Sequence, residues 1–281
     1  MTPLALAFAL SAPVPKDDQT DFTWKLANRE VFYVTLETDT DANVTPPPRI
    51  ALAVSSQSQR TVGVWKVTVA TADADRVVLD LETVSYSSAS TWNAKVKATS
   101  PVADAVGQKF TLTFDTAFRL SKVADGDAWD KLLANEQQSS GMHTAKGVGR
   151  AFEHLFRVVP GGRQGKGWKT TSDVLDKDAG TSDTWTRRAK VDAVKDGVAT
   201  VTTETDLDGK REDNRRSVFV PYERKAAKCP GAFTFNTVTG RLERFEETLT
   251  VTGSSGVKDQ AIGYTGTVKT VATVSAKPPK K

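Results

Sequence analysis

Residues 125–159 read DGDAWDKLLANEQQSSGMHTAKGVGRAFEHLFRVV, the one stretch in which helical periodicity displaces strand-like alternation. Trp129, Leu132 and Leu133 fall at i, i+3 and i+4, and Val148, Phe152, Leu155 and Val159 continue at i, i+4, i+7 and i+11. Each set lays one apolar stripe along a helix. The spacing predicts two short amphipathic helices joined near Gln137 to Met142. Asp127 and Thr144 stand where first-turn caps belong, Pro160 with Gly161-Gly162 stops the second helix, and Gly147 and Gly149 weaken it. The stripes must leave water, so the insert is expected to complete a core, with a lid over a ligand groove as the alternative.

On both sides the chain alternates with period two. Val31 to Leu36 is a β-branched and aromatic run followed by a polar loop ending at Pro46-Pro47-Pro48. Val62 to Val69 and Val77 to Thr83, turning at Asp73 to Asp75, read as a hairpin with one buried face, Trp65 facing away from Val62 and Val64. Trp92 to Ala98, Phe110 to Phe114 and Phe118 to Val123 are further strands, with a single helical turn at Pro101 to Val106. Beyond the insert the order recurs. Gly165 to Trp168 leads into a strand, Lys190 to Thr205 forms a hairpin turning at Asp196-Gly197, and Asp208-Gly209 signals another, with Ser217 to Val220 the strand after it. Phe233 to Asn236 with Arg241-Leu242 answers Phe110 to Asp115 with Arg119-Leu120. Two long strands, Arg241 to Thr252 and Ala261 to Val274, flank a Gly253-Ser254-Ser255-Gly256 turn. Matching pieces at similar spacing make a duplicated β unit the economical reading.

The expected fold class is α+β, mainly antiparallel β: two similar curved sheets or half-barrels packed together, with the helical insert at about 125–159 covering apolar surface. A single continuous barrel is the alternative. The expected divisions are a signal-like segment at 1–15, a first β unit at 16–124, the insert at 125–160, a second β unit at 161–276 and a basic tail at 277–281.

The Gly165-Lys166-Gly167-Trp168 lead-in, the Phe233-Thr234-Phe235-Asn236 passage with Gly240-Arg241-Leu242, its cousin from Phe110 to Leu120 and the helices before Pro160 carry a resemblance. From about Asp21 to Val274 the chain resembles an uncharacterised family of exported bacterial proteins and lipoproteins, known only as a domain of unknown function. The first copy departs from the pattern, with Phe118 near where the second has Gly240. The resemblance implies export and brings no activity, catalytic residue or cofactor with it.

Composition agrees with a globular chain. At 281 residues, 38% hydrophobic, the chain is long enough to bury roughly three quarters of its extended surface. The net charge of +4 is a mild excess, much of it in the tail from Lys277 to Lys281, so nucleic acid is not an expected partner. Leu4 to Leu10 is an apolar run followed by Ala9-Leu10-Ser11, small at both positions a signal peptidase reads, and far too short to span a bilayer. Export to the periplasm or cell envelope is expected, with a frayed N-terminus of no targeting role in a cytoplasmic protein as the alternative. Pro13 stands where a lipobox needs its Cys, which argues against a lipid anchor.

No constellation nominates a catalytic, cofactor-binding or metal-ligating residue. His143 and His154, on one helix, would lie about 16 Å apart, too far to share a metal, and read as surface or core-edge histidines. Cys229 is the single cysteine and reads as a small residue beside a turn. Asp206-x-Asp208-Gly209 with Glu212 lacks the ligand spacing of a calcium loop, and Gly161 to Gly167 lacks the Lys-Ser/Thr and following helix of a phosphate loop. Gly253 to Gly256 lacks the nucleophile-elbow spacing. Glu246-Glu247, Asp73 and Asp75, Arg187-Arg188 and Arg215-Arg216 read as solvated strand faces or turns. The expected function is therefore a non-enzymatic envelope binding or structural protein whose partner is an apolar ligand or another envelope component. The alternative is a hydrolase with a carboxylate-based site in a β cleft.

Overall fold

The computed structural model describes residues 19–46, 56–93, 95–97, 102–134, 141–176, 181–211, 222–255 and 262–279. Strands β1 (Thr20–Asp21), β2 (Val31–Thr45), β3 (Ser56–Ala72), β4 (Arg76–Trp92), β5 (Lys95–Lys97), β6 (Lys109–Asp115) and β7 (Leu120–Ala124) precede helices α1 (Asp127–Leu133) and α2 (Ala145–Val158). They are followed by β8 (Arg163–Gln164), β9 (Gly167–Asp176), β10 (Thr181–Lys195), β11 (Val198–Arg211), β12 (Tyr222–Asn236), β13 (Arg241–Ser255) and β14 (Ile262–Ser275). The fold class is the one that alternation and periodicity predict, mainly antiparallel β with a short helical insert.

Apart from β1 and β8, which pair with each other, the strands form one 12-stranded sheet. Its order is β7-β6-β4-β3-β2-β14-β13-β12-β11-β10-β9, with β5 folded back on β4. The two β halves thus join edge to edge: β2 pairs with β14 from Tyr33↔Ser275 to Thr45↔Gly263. Long strands favour this joint, because each of the two would otherwise present a full row of unpaired backbone groups. The sheet is not closed into a barrel, and β7 and β9 are its edges among the described residues.

The sheet is strongly curled. Between β6 and β10 lie eight strand spacings, about 38 Å if laid flat. Yet α2 touches both regions: Gly149 lies against Leu112 and Leu120, while His154 meets Trp185 and Phe245 at 5.1 and 5.7 Å. One helix spans that gap only if the sheet wraps round it. The N-terminal segment crosses the open side, with Phe22 against Trp168 and Phe235 and Trp24 against Phe118 and Phe235. Glu30 pairs with Arg241.

The insert packs on the inner face of the curl, α1 through Trp129 on Trp65, Tyr86 and Phe110, and α2 through Phe152 on Trp65 and Phe156 on Phe114. Trp129, Val148 and Phe152 are essentially without exposure and belong to one core with Trp65, Leu79, Phe110, Leu112, Phe114, Phe233 and Phe235. Thr144 caps α2 through Gly147 N. Asp127 does not cap α1: Gly126 takes that place and Asp127 is the first helical residue. The joint near Gln137 lies outside the described residues up to a short 3-10 turn at Gly141–His143. No helix among the described residues is long and apolar enough to cross a membrane.

Several local expectations change for reasons of pairing. The polar residues after Leu36 continue β2 to Thr45, since β3 and β14 flank it on both sides. Trp65 shares the inward face with Val67 and Val69, and Val64 is buried behind it. Along β4, Val77, Leu79, Leu81 and Thr83 point inward. Val84 is then an extra residue between the pairs Trp65↔Thr83 and Val64↔Ser85. This bulge reverses the parity, so Tyr86, Ser88 and Ser90 stay inside.

The β6–β7 turn carries Phe118 at φ 55°, the same left-handed geometry as Gly240 at φ 64° in the β12–β13 turn. A bulky residue there is strained by about 1–2 kcal/mol, and stacking on Phe156 at 4.8 Å offsets it. Asp208-Gly209 is not a turn: β11 runs through it, paired with Thr184 and Asp183 on one side. Gly253 to Ser255 likewise belong to β13. Ser217 to Val220, Glu212, Arg215-Arg216 and the segment 1–15 lie outside the described residues.

Candidate functional site

Inward positions along β13 run Phe245, Glu247, Leu249, Val251, a charged residue set into an apolar row. The same happens in β10, with Arg187 between Ala189 and Trp185, and in β11, with Thr205 one step before the Leu207 face. The register Arg187↔Thr205 places the last two side by side. Glu247 is 3% exposed and Arg187 6%. Neither belongs to the solvated strand faces expected for Arg187-Arg188 and Glu246-Glu247; each pair splits, Arg188 and Glu246 pointing outward and their neighbours inward. Arg188 pairs on the outer face with Glu204 and Asp206.

Inside, Thr205 Oγ1 donates to Glu247 Oε1 at 2.6 Å and Arg187 Nη2 donates to the same oxygen at 2.8 Å. From α2, His154 Nε2 lies 3.2 Å from Glu247 Oε2. Burial pushes the Glu247 carboxyl upward, but the Arg187 charge together with the bonds from His154 and Thr205 outweighs it and holds the group well below the usual carboxylate range. Glu247 is thus fixed as an anion and is unsuited to the proton-donor half of a glycosidase pair.

This ionic band divides two apolar regions. On one side lies the core under the insert. On the other Leu207, Ala226, Cys229 and Leu249 form a second cluster joined by Trp185, Val251 and Val268. Cys229 sits in this cluster within β12, buried and free. A second pair, Arg224 with Asp183, crosses the inner face above it. Gly209 lies beneath that crossing, and a Cβ there would run into both side chains, which explains a glycine in mid-strand.

Between the half-buried flank of α2 and this second cluster is a cavity of about 740 Å³, within the range of small-molecule sites. Leu36, Trp185, Leu207, Leu249, Val251 and Val268 give it an apolar wall. Its charged lining comes from Arg187 and Glu247, Arg224 and Asp183, and a cluster on α2 itself. There Glu153 accepts from Arg150 Nη1 at 2.6 Å, Arg157 Nη1 at 3.0 Å and Leu120 N at 3.2 Å.

The two histidines stay apart. His143 is buried in the 3-10 turn, its Nδ1 2.8 Å from Tyr86 Oη and its Nε2 3.1 Å from Gln59 Nε2. Burial pulls its pKa down to about 4. Among the described residues no three His, Cys, Asp or Glu side chains gather as metal ligands. The motif residues behind the family resemblance have structural work. Trp168 packs at a tilt against Phe22, and Gly240 O accepts from Lys25 N at 3.1 Å where a Cβ would strike the Lys25 side chain.

No family model matches the chain, and no curated protein matches it. Among solved structures it is similar to lipovitellin, described for its lipid–protein interactions, with TM-score 0.47 and 9% identity over 92% of this chain and 26% of that one. It therefore spans about a quarter of the length of that chain. An outer membrane channel from Pseudomonas putida F1 is similar at TM-score 0.22 and 8% identity, over 93% of this chain and 99% of the channel. OmpF of Salmonella typhi, in complex with daunomycin, gives TM-score 0.22 and 7% identity over 86% and 98%.

Proposed function

We propose that this protein is a non-enzymatic binding protein of the bacterial envelope, exported as its N-terminal segment suggests, and a member of the uncharacterised family its motifs resemble. Its ligand is apolar. The observation that carries this reading is the second apolar cluster: Leu249, Val251, Val268 and Trp185 line a cavity between the sheet and α2, whose His154 meets the sheet at the ionic band. A binding cavity with a mostly apolar wall and few fixed polar groups is the usual arrangement for a small apolar ligand. The halves, on this reading, descend from one β unit. Supporting it, both advance in the same direction round the sheet, β9 to β14 and then β2 to β7, and the pairs Phe114↔Leu120 and Phe235↔Leu242 flank turns of the same hand.

Titration of the purified protein with Nile red tests the binding reading. Saturable binding of one dye per chain is expected, and Val251→Glu should abolish it while circular dichroism keeps its β signature. Dye binding that never saturates, or that survives Val251→Glu unchanged, would end the assignment of the cavity.

A further inference from the structure

Among the described residues the charged lining of the cavity is unequal: four arginines, Arg150, Arg157, Arg187 and Arg224, face three carboxylates, Glu153, Asp183 and Glu247. Two of the carboxylates have one arginine each. Glu153 has two, Arg150 and Arg157, so one positive charge is unanswered there. The hydrogen-bond count tells the same way. A guanidinium carries five N–H donors, and among the described residues each of these arginines gives one to Glu153. Glu153 itself accepts from two arginines and Leu120 N, and its side chain is 4% exposed, whereas those of Arg150 and Arg157 are 30% and 17% exposed. The surplus donors therefore sit on the accessible side of the cluster. Arg187 is different: its side chain is 7% exposed and committed to Glu247 and Thr205.

From these observations we infer that the ligand is an amphiphile with an acidic headgroup, a carboxylate or phosphate ester, held by Arg150 and Arg157 with its hydrocarbon chain along Leu249, Val251 and Val268. This rests on the apolar-ligand reading above and adds the charge and orientation of the ligand. Charge-assisted, bidentate bonds from arginine suit both acid types. A neutral head would leave the extra cation unpaired beside apolar surface, and a cationic head would be repelled.

Four probes with the same twelve-carbon chain, laurate, dodecyl phosphate, dodecanol and dodecyltrimethylammonium, separate the possibilities in a Nile red displacement assay, with inorganic phosphate as the headgroup without a chain. Laurate and dodecyl phosphate should bind about ten-fold tighter than dodecanol, dodecyltrimethylammonium more weakly than dodecanol, and inorganic phosphate not detectably. Arg150→Gln/Arg157→Gln should bring the laurate-to-dodecanol ratio near one. Glu153→Gln, which releases both arginines while keeping an acceptor for Leu120 N, should raise laurate affinity, and this arm stands even if the double substitution fails to fold. Equal affinity for laurate and dodecanol overturns the headgroup assignment and leaves the apolar-ligand reading intact. Failure of every chain to bind overturns the reading beneath it. Inorganic phosphate binding as tightly as dodecyl phosphate would mean a plain anion site and overturn the amphiphile.

Discussion

Replacing Glu247 by leucine leaves the Arg187 guanidinium buried with Thr205 and no anion. Glu247 is 3% and Arg187 6% exposed, so bulk water replaces neither the bond that Arg187 loses at 2.8 Å nor the one that Thr205 loses at 2.6 Å. Breaking one partner of such a pair costs about 3–5 kcal/mol. At about 2 °C per kcal/mol for a chain of this size, the melting point should fall by roughly 6–10 °C. Arg187→Leu should cost a similar amount near neutral pH and less in acid, where Glu247 can take a proton. The double variant Arg187→Leu/Glu247→Leu removes both desolvated charges and extends the Leu207–Leu249 surface toward the core, so it should lie within about 1 kcal/mol of the parent or above it. Urea unfolding followed by tryptophan fluorescence measures all four proteins, Trp185 being only 5.1 Å from the His154 ring that contacts Glu247. A double variant whose loss equals the sum of the single losses would refute the claim that these residues act as one buried unit.

Three more outcomes are expected. Phe152→Ala, at a fully buried position 6.1 Å from Trp65, should cost about 3–5 kcal/mol in any buffer; a loss below about 1 kcal/mol in urea titration would mean that α2 is a mobile lid. His143 has a folded pKa of about 4 against an ordinary 6.5, so between those values the unfolded chain holds a proton the folded chain lacks. Stability should be complete above about 6.5 and fall by about 3 kcal/mol as pH drops to 4, with His143→Gln flattening that window and leaving the loss below 4.5 that the lowered Glu247 brings. Gly209→Ala should cost about 1–3 kcal/mol by forcing Asp183 and Arg224 apart, and an unchanged urea midpoint would show that the crossing pair yields freely.

The fold was largely legible because its signals are local. The insert announces itself through Trp129, Phe152 and their spacing, and Phe110, Phe114, Phe233 and Phe235 lie where alternation predicts, all buried. Strand lengths were less legible. Thr38 and Thr40 continue β2 because two neighbours hydrogen-bond it, and Asp208-Gly209 stays extended because β10 and β12 pair with it on both sides, the glycine leaving room for the Asp183–Arg224 pair; these causes lie away from the segment in sequence. The site was hidden by the habit of assigning charged residues to water. The signal was present in parity: once Phe245, Leu249 and Val251 are placed inward, Glu247 between them must be inward too. Its complement, Arg187, is inward by the same count from Ala189, and two opposite charges on the inner face of one sheet are each other's best explanation.

Why the cavity lies in the second half follows from a comparison of two positions. Trp65 stands opposite Thr83, four residues before the bulge at Val69, and Arg187 stands opposite Thr205, four residues before the bulge at Val191. In the first half the place is taken by an indole lying over Gly63, against Trp129 and Phe152, and the insert packs down on it. In the second half the place is taken by a guanidinium that needs an anion, so Glu247 and His154 gather there and α2 meets the sheet through polar contacts. Trp185 stands one inward position further from the core, where it walls the space. An ionic group at the height of Trp65 thus ends the hydrophobic seal between helix and sheet, and the apolar residues beyond it, Leu207, Leu249, Val251 and Val268, are left facing a volume that the described residues do not fill.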